Sequence, residues 1–225
     1  MKEQVLESPF CKKEFLELVD IVSEEKTTKL ANYAISDSSI VNIGNRDFVD
    51  YRPDISIDSK VLKDNNISNI SFDSLHFFQI QNLVKEIDVK SIKITKSDIA
   101  VNLILPKTYE EYLKRLTKKN RHELRRKKRK FNDEITTCEL GESREQDIFE
   151  IFISQHKESK GEKGTFMTDT VETYFRNLLN LEGWKIYYTN TDKGVLSTAF
   201  CYENDAGCYL YNSSRNNEFN SINPG

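Results

Sequence analysis

Apolar residues follow two rhythms along this chain, and the change falls near Pro106. In "SPFCKKEFLELVDIVSEE", Phe15, Leu16, Val19, Ile21 and Val22 recur at helical spacing, with Ser8 placed to cap and Pro9 in the first turn. Five short β-type runs follow: "KLANYAIS", "SIVNIG", "NISNISF", "SIKITK" and "AVNLILP". Polar clusters such as "GNRD" and "KDNN" separate them, so the first hundred residues predict a helix and a small sheet.

Past Pro106 the elements lengthen. "KTYEEYLKRL" carries a capping box, Thr108 with Glu111, and an apolar stripe of Tyr109, Tyr112, Leu113 and Leu116. Thr117 opens a second helix, "KKNRHELRRKKRKF", whose only apolar positions are Leu124 and Phe131. "EITTCEL" reads as a strand. "SREQDIFEIFISQHKESKG" reads as a helix running from a Ser143–Gln146 capping box to Gly161. "TDTVETYFRNLLNL" is amphipathic, with Val171, Tyr174, Phe175, Leu178 and Leu179 inward. Three strands, "WKIYYTN", "VLSTAFCYE" and "CYLYNSS", joined by turns at "TDKG" and "ENDAG", complete an antiparallel meander.

Composition narrows this picture. With 225 residues, 37% hydrophobic and 31% charged, the chain can bury a sizeable core and is too apolar for a disordered segment. No run approaches membrane-spanning length, and "MKEQVLESPF" lacks the apolar core of a signal peptide, so a cytoplasmic location is expected. Cys11, Cys138, Cys201 and Cys208 show no metal-ligand spacing and read as buried free thiols, with no metal expected.

Charge is the exception to this ordinary profile. The stretch from Lys114 to Lys130 holds eleven Lys or Arg residues and one acid, Glu123. Removing its ten net positive charges from the chain's −3 leaves −13 on the remainder. Such a run is either a solvated face or a wall for an anion: a phosphate, a glycan or a lipid head group. Arg121, Arg125 and Arg126 lie on neighbouring turns, and guanidinium forks hold phosphate or carboxylate bidentately. An RNA- or tRNA-binding module built on residues 114–130 is the alternative; the acidic remainder and the absence of interleaved aromatics argue against it.

The ordered set "LPKTYEEYLKRLTKKNRHELRRKKRKF", "FISQHKESKGEKGTF" and "CYLYNSSRNNEFNSINPG" resembles the GNAT acyltransferase superfamily. The resemblance is to its FemAB-like branch, which includes acetyltransferases associated with cellulose and exopolysaccharide gene clusters. It covers roughly the last 120 residues and is weaker over the first hundred, where "VNIGNRDFVDYRPDI" echoes a preceding half-domain. It implies an α/β (α+β) fold: a mixed, largely antiparallel sheet flanked by helices, in tandem half-domains with the second incomplete. Residues 1–106 would form the N-terminal GNAT-like half-domain, and 107–225 the first portion of the acyltransferase domain. It also implies further residues after Gly225, so the chain reads as a C-terminally truncated piece, inactive by itself.

The implied activity is direct transfer from acetyl-CoA or another acyl-CoA to an amine or hydroxyl, on a cell-envelope, polysaccharide or small-amine acceptor. Such chemistry needs donors for the developing oxyanion, a base for the attacking group and backbone N–H groups for the pyrophosphate. The expected catalytic residues are Tyr209 and Tyr211, which share one strand face, and His156. Tyrosine can protonate a departing thiolate, although aromatic packing explains this pair as well. His156 on an amphipathic helix reads first as a packing residue, and the family motif raises it to a candidate. Arg121, Arg125, Arg126, Asn212, Asn223 and Gly225 are the expected cofactor-binding residues. A peripheral contact with an anionic membrane or glycan remains compatible with the basic helix.

Overall fold

A computed structural model describes residues 7–23, 28–30, 32–87, 90–96 and 99–222. The expected residues Asn223 and Gly225 therefore lie outside the described residues. The fold is mixed α+β, with two four-stranded, mainly antiparallel sheets and flanking helices. The chain divides into two compact units, the first formed chiefly by Met1–Ala100 and the second by Val101–Asn204 with Cys208–Gly225.

In the first unit, helix α1 (Lys13–Ser23) buries Phe15, Leu16 and Val19, while Ile21 stays 66% exposed. Ser8 makes no side-chain cap; the residues after it form a 3-10 turn, Pro9–Cys11, and the helix proper starts beyond it. The sheet comprises β1 (Thr28–Leu30), β2 (Tyr33–Ser36), β3 (Ser39–Val41) and β4 (Asn69–Ser71). Its first two pairings are antiparallel and β3–β4 is parallel. Helices α2 (Ser59–Asp64) and α3 (Phe77–Glu86) complete the unit. Arg52 is 1% exposed, and its guanidinium donates to Asp73 Oδ1 (3.0 and 2.9 Å) and to the carbonyls of Ile43 and Gly44. These acceptors make a buried cation tolerable and knit three separate loops.

"SIKITK" and "AVNLILP" depart from the sequence expectation. Neither belongs to a sheet, and Ile92, Ile94, Ile99, Val101, Leu103, Ile104 and Leu105 are all at least half exposed. β-propensity selects an extended backbone, but a strand also needs a neighbour to bond with.

The second unit begins with a helical hairpin. Helix α4 (Tyr109–Arg115) starts at Thr108, whose hydroxyl accepts from Glu111 N, while the Glu111 carboxylate accepts from Lys107 N. Glu111 is thus a capping residue. Helix α5 (Lys118–Glu134) starts at Thr117, whose hydroxyl accepts from Asn120 N, and it buries no residue at all. Its C-terminal end meets the rest of the unit through Phe131, which packs with Ile135, Leu196, Phe219 and Ile222.

Strand β5 (Cys138–Ser143) follows and pairs with β6 (Trp184–Thr191). Then come α6 (Gln146–Lys157), the short α7 (Glu162–Phe166), α8 (Asp169–Leu179), and strands β7 (Gly194–Asn204) and β8 (Gly207–Arg215). The sheet order is β5-β6-β7-β8, the expected meander, with β8 at one end. Ser143 belongs to β5; it accepts from Glu145 N, and Glu145 is the residue that precedes α6, so the expected capping box is displaced. The thiols also differ from expectation: Cys138 and Cys208 are exposed and Cys11 half-buried, leaving Cys201 as the buried one.

One aromatic layer joins α6 and α8 to the sheet. Phe152 and Phe175 each meet Phe200 (5.4 and 5.0 Å) and each other (5.3 Å), and Trp184 meets Phe200 at 5.6 Å. All four are at most 2% exposed. Large rings supply much apolar area per residue, which anchors both helices on one face of the meander.

Candidate active site

The C-terminal turn of α6 lies against β8, and polar side chains cross the seam. His156 is 1% exposed, and its Nε2 is 2.8 Å from Asn212 Oδ1. The amide orientation is fixed locally, because the same Oδ1 accepts from Ser213 N at 2.7 Å. An oxygen that already accepts can only accept again, so Nε2 must carry the hydrogen. In the neutral ring the lone pair then sits on Nδ1, a buried atom with no hydrogen-bond partner.

Burial pushes the His156 pKa below its ordinary value, and the positive charge of Lys163 pushes in the same direction. The bond to Asn212, and the backbone of Lys163 and Ser213 close by, oppose that shift. The net result is a neutral imidazole at pH 7, with backbone close by that favours the ring once it is protonated.

Beside this pair runs a second chain of bonds. Gln155 Nε2 donates to Val195 O (2.9 Å), Ser214 Oγ donates to Gln155 Oε1 (2.9 Å), and Thr198 and Ser214 share a hydroxyl contact of 2.5 Å. All three side chains are buried. Asn217 Nδ2 reaches Glu158 O at 3.1 Å and extends the seam by one more bond.

Strand β8 does not alternate strictly. Tyr211 packs on Phe175 and Trp184, and Ser214 bonds Gln155, so both face the helices although they are three residues apart. A regular pleat would put them on opposite faces, so it is interrupted at Asn212–Ser213, which lets Asn212 reach His156. Two glycines shape the other wall. Gly161 has φ +73, and a Cβ on Gly164 would come 2.1 Å from Ser159 O. Only residues without a side chain let α7 fold back on the end of α6 and bring Lys163 beside the imidazole.

The other expected residues occupy different surroundings. The Tyr211 hydroxyl is 2.8 Å from that of Tyr174 inside the aromatic layer, and Tyr209 packs near Tyr202 (6.0 Å). On α5, Arg126 grips Glu123 with two bonds (2.9 and 2.7 Å), and Arg121 donates to Leu116 O. Arg125 is exposed. No hydrogen bond or ion pair among the described residues joins these arginines to His156 or Asn212. Arg121 precedes Phe131, where α5 meets the unit, by about 15 Å of helix. The structure therefore brings His156 and Asn212 together and leaves the arginines apart. Sequence reasoning missed Gln155, Thr198 and Ser214; the available hint was a Gln–His pair just after the apolar run Ile151, Phe152 and Ile153.

Among the described residues no group of three or more His, Cys, Asp or Glu could hold a metal ion. No described helix is long and apolar enough to cross a membrane. Residues 118–225, which contain this seam, match the family model for an acetyltransferase (GNAT) domain. The likeness is to domains that transfer acyl groups with acetyl-CoA as co-substrate. No curated protein and no solved structure matches the chain.

Proposed function

We propose that the second unit transfers an acyl group from acyl-CoA to an amine or hydroxyl by direct attack on the thioester, with His156 as proton acceptor. The observation that carries the role of His156 is the orientation of its ring: a neutral, buried imidazole whose Nε2–H is held by Asn212, leaving Nδ1 with an unused lone pair. In this reading β8, at the end of the sheet, aligns the amides of the pantetheine arm as an added strand would be aligned. The bound thioester supplies an activated carbonyl and a thiolate leaving group. The acceptor's nitrogen or oxygen bonds to the carbonyl carbon, the C–S bond breaks, and the acceptor's proton passes to Nδ1 through a relay, because that atom itself is buried. Asn212 holds the ring throughout, and the backbone at Lys163 and Ser213 favours the imidazolium that results. The FemAB-like branch, with an envelope or polysaccharide acceptor, is the finer assignment suggested by the motifs around His156 and Tyr209.

The test is release of CoA thiol from acetyl-CoA in the presence of a panel of amines and sugars. His156→Gln should lower turnover by roughly 100- to 10,000-fold, the range for losing a general base. Asn212→Ala should lower kcat and shift its pH profile, since the ring loses its anchor. Undiminished turnover in His156→Gln, in a protein whose parent form releases thiol, defeats the proposal.

A further inference from the structure

The α4–α5 hairpin carries two exposed features that the acyl-transfer reading does not use. The first is a cationic ridge. Arg121, Arg125 and Arg129 fall four residues apart on α5, so they line one face about 6 Å apart. Lys118, Lys119, Arg125, Lys127 and Arg129 form no ion pair or side-chain hydrogen bond among the described residues. Arg126, by contrast, is consumed by Glu123.

The second feature is apolar and lies beside the first. Val101, Leu103, Ile104 and Leu105 are 92%, 53%, 76% and 77% exposed. Arg115 at the end of α4 donates to Ile104 O (2.8 Å), which sets this run beside the start of α5. Further along, Lys128 Nζ stands 5.0 Å over the ring of Tyr109, itself 41% exposed. Aliphatic chains, an amphipathic tyrosine and unpaired cations are therefore interleaved on one hairpin.

We infer that residues 101–130 form a docking surface for an anionic lipid bilayer. The aliphatic run and Tyr109 enter the interfacial layer, while the α5 cations lie among the head groups. Charge complementarity favours a lipid surface: among the described residues only Arg126 of α5 is paired with an acid, and the excess of cations attracts an anionic leaflet. The exposed aliphatic chains separate this partner from a nucleic acid, which is read by cations and stacked aromatics and has no place for leucine side chains. Neither signal suffices by itself; interfacial anchoring is stable when an apolar element and a polybasic patch act together.

The test is co-sedimentation of the full chain with vesicles of phosphatidylglycerol and phosphatidylcholine, against vesicles of phosphatidylcholine alone. Binding should require the anionic lipid and fall steeply as salt rises. Arg125→Gln with Arg129→Gln should weaken it on the order of tenfold. Leu103→Ser with Leu105→Ser should weaken it comparably at low salt, with circular dichroism and melting temperature confirming that both doubles fold. The surface is something else if the parent binds neutral vesicles equally, binds none, or keeps full binding after the Leu103/Leu105 changes. Tight salt-sensitive binding to single-stranded RNA without vesicle binding would identify a nucleic-acid face instead. A dimer abolished by the leucine changes, again without vesicle binding, would identify a self-association edge. None of these results depends on acyl transfer, so either proposal can fail while the other stands.

Discussion

The α6–β8 seam and helix α5 belong to the same unit and handle polar residues in opposite ways. In the seam, His156, Gln155, Thr198 and Ser214 are buried, and each is held by hydrogen bonds beneath an aromatic layer. On α5 no residue is buried, and most cations meet only solvent. Burying a polar group is costly unless a partner is built for it, so the seam is specified residue by residue. Water meets the polar needs of α5 at no structural cost, so its sequence is free to answer to a partner outside the chain. A rigid, dry seam suits chemistry on a positioned proton; a wet, charged helix suits a surface.

Substitutions can test how deep that contrast runs. The largest effect should come from Phe152→Ala, which removes the ring joining α6 to both Phe175 and Phe200. A loss of about 3–5 kcal/mol is expected in chemical denaturation. Ser214→Ala should cost about 1–3 kcal/mol, because the Thr198 hydroxyl and Gln155 Oε1 lose a buried partner. A smaller effect depends on pH. His156 has a folded pKa below its unfolded one, so its share of stability is intact above about pH 6.5 and lost as pH falls through the folded value. The urea midpoint of the parent chain should therefore drop between about pH 7 and pH 5 by more than that of His156→Gln. The smallest change should come from Leu124→Ala on α5, within about 0.5 kcal/mol. If it matched Phe152→Ala, the description of α5 as a helix with nothing to bury would be wrong.

Much of the fold is legible in the order of residues along the chain. Val171, Tyr174, Phe175, Leu178 and Leu179 are all buried, as their spacing requires, and the three-strand meander lies where its turns placed it. Caps were less legible: Thr108 and Thr117 cap as expected, whereas Ser8 and Ser143 do not, since a capping side chain works only if the helix starts where propensity suggests. The candidate site was half legible. His156 and Asn212 were both singled out by motif, but as separate residues with different roles. Tyr211, expected as an acid, has its hydroxyl against that of Tyr174 within the aromatic layer.

Local periodicity by itself determined which segments coil and which extend, where the core-facing side chains fall, and that positive charge collects on one helix; each depends on neighbours a few residues away. Tertiary structure decided three further things. It joined His156 to Asn212 across 56 positions of sequence, broke the pleat of β8 so that they could meet, and left the apolar run at 101–105 in the open. Those outcomes depend on which strand edges and helix faces find one another, and that is set by the register and packing of elements far apart in the chain.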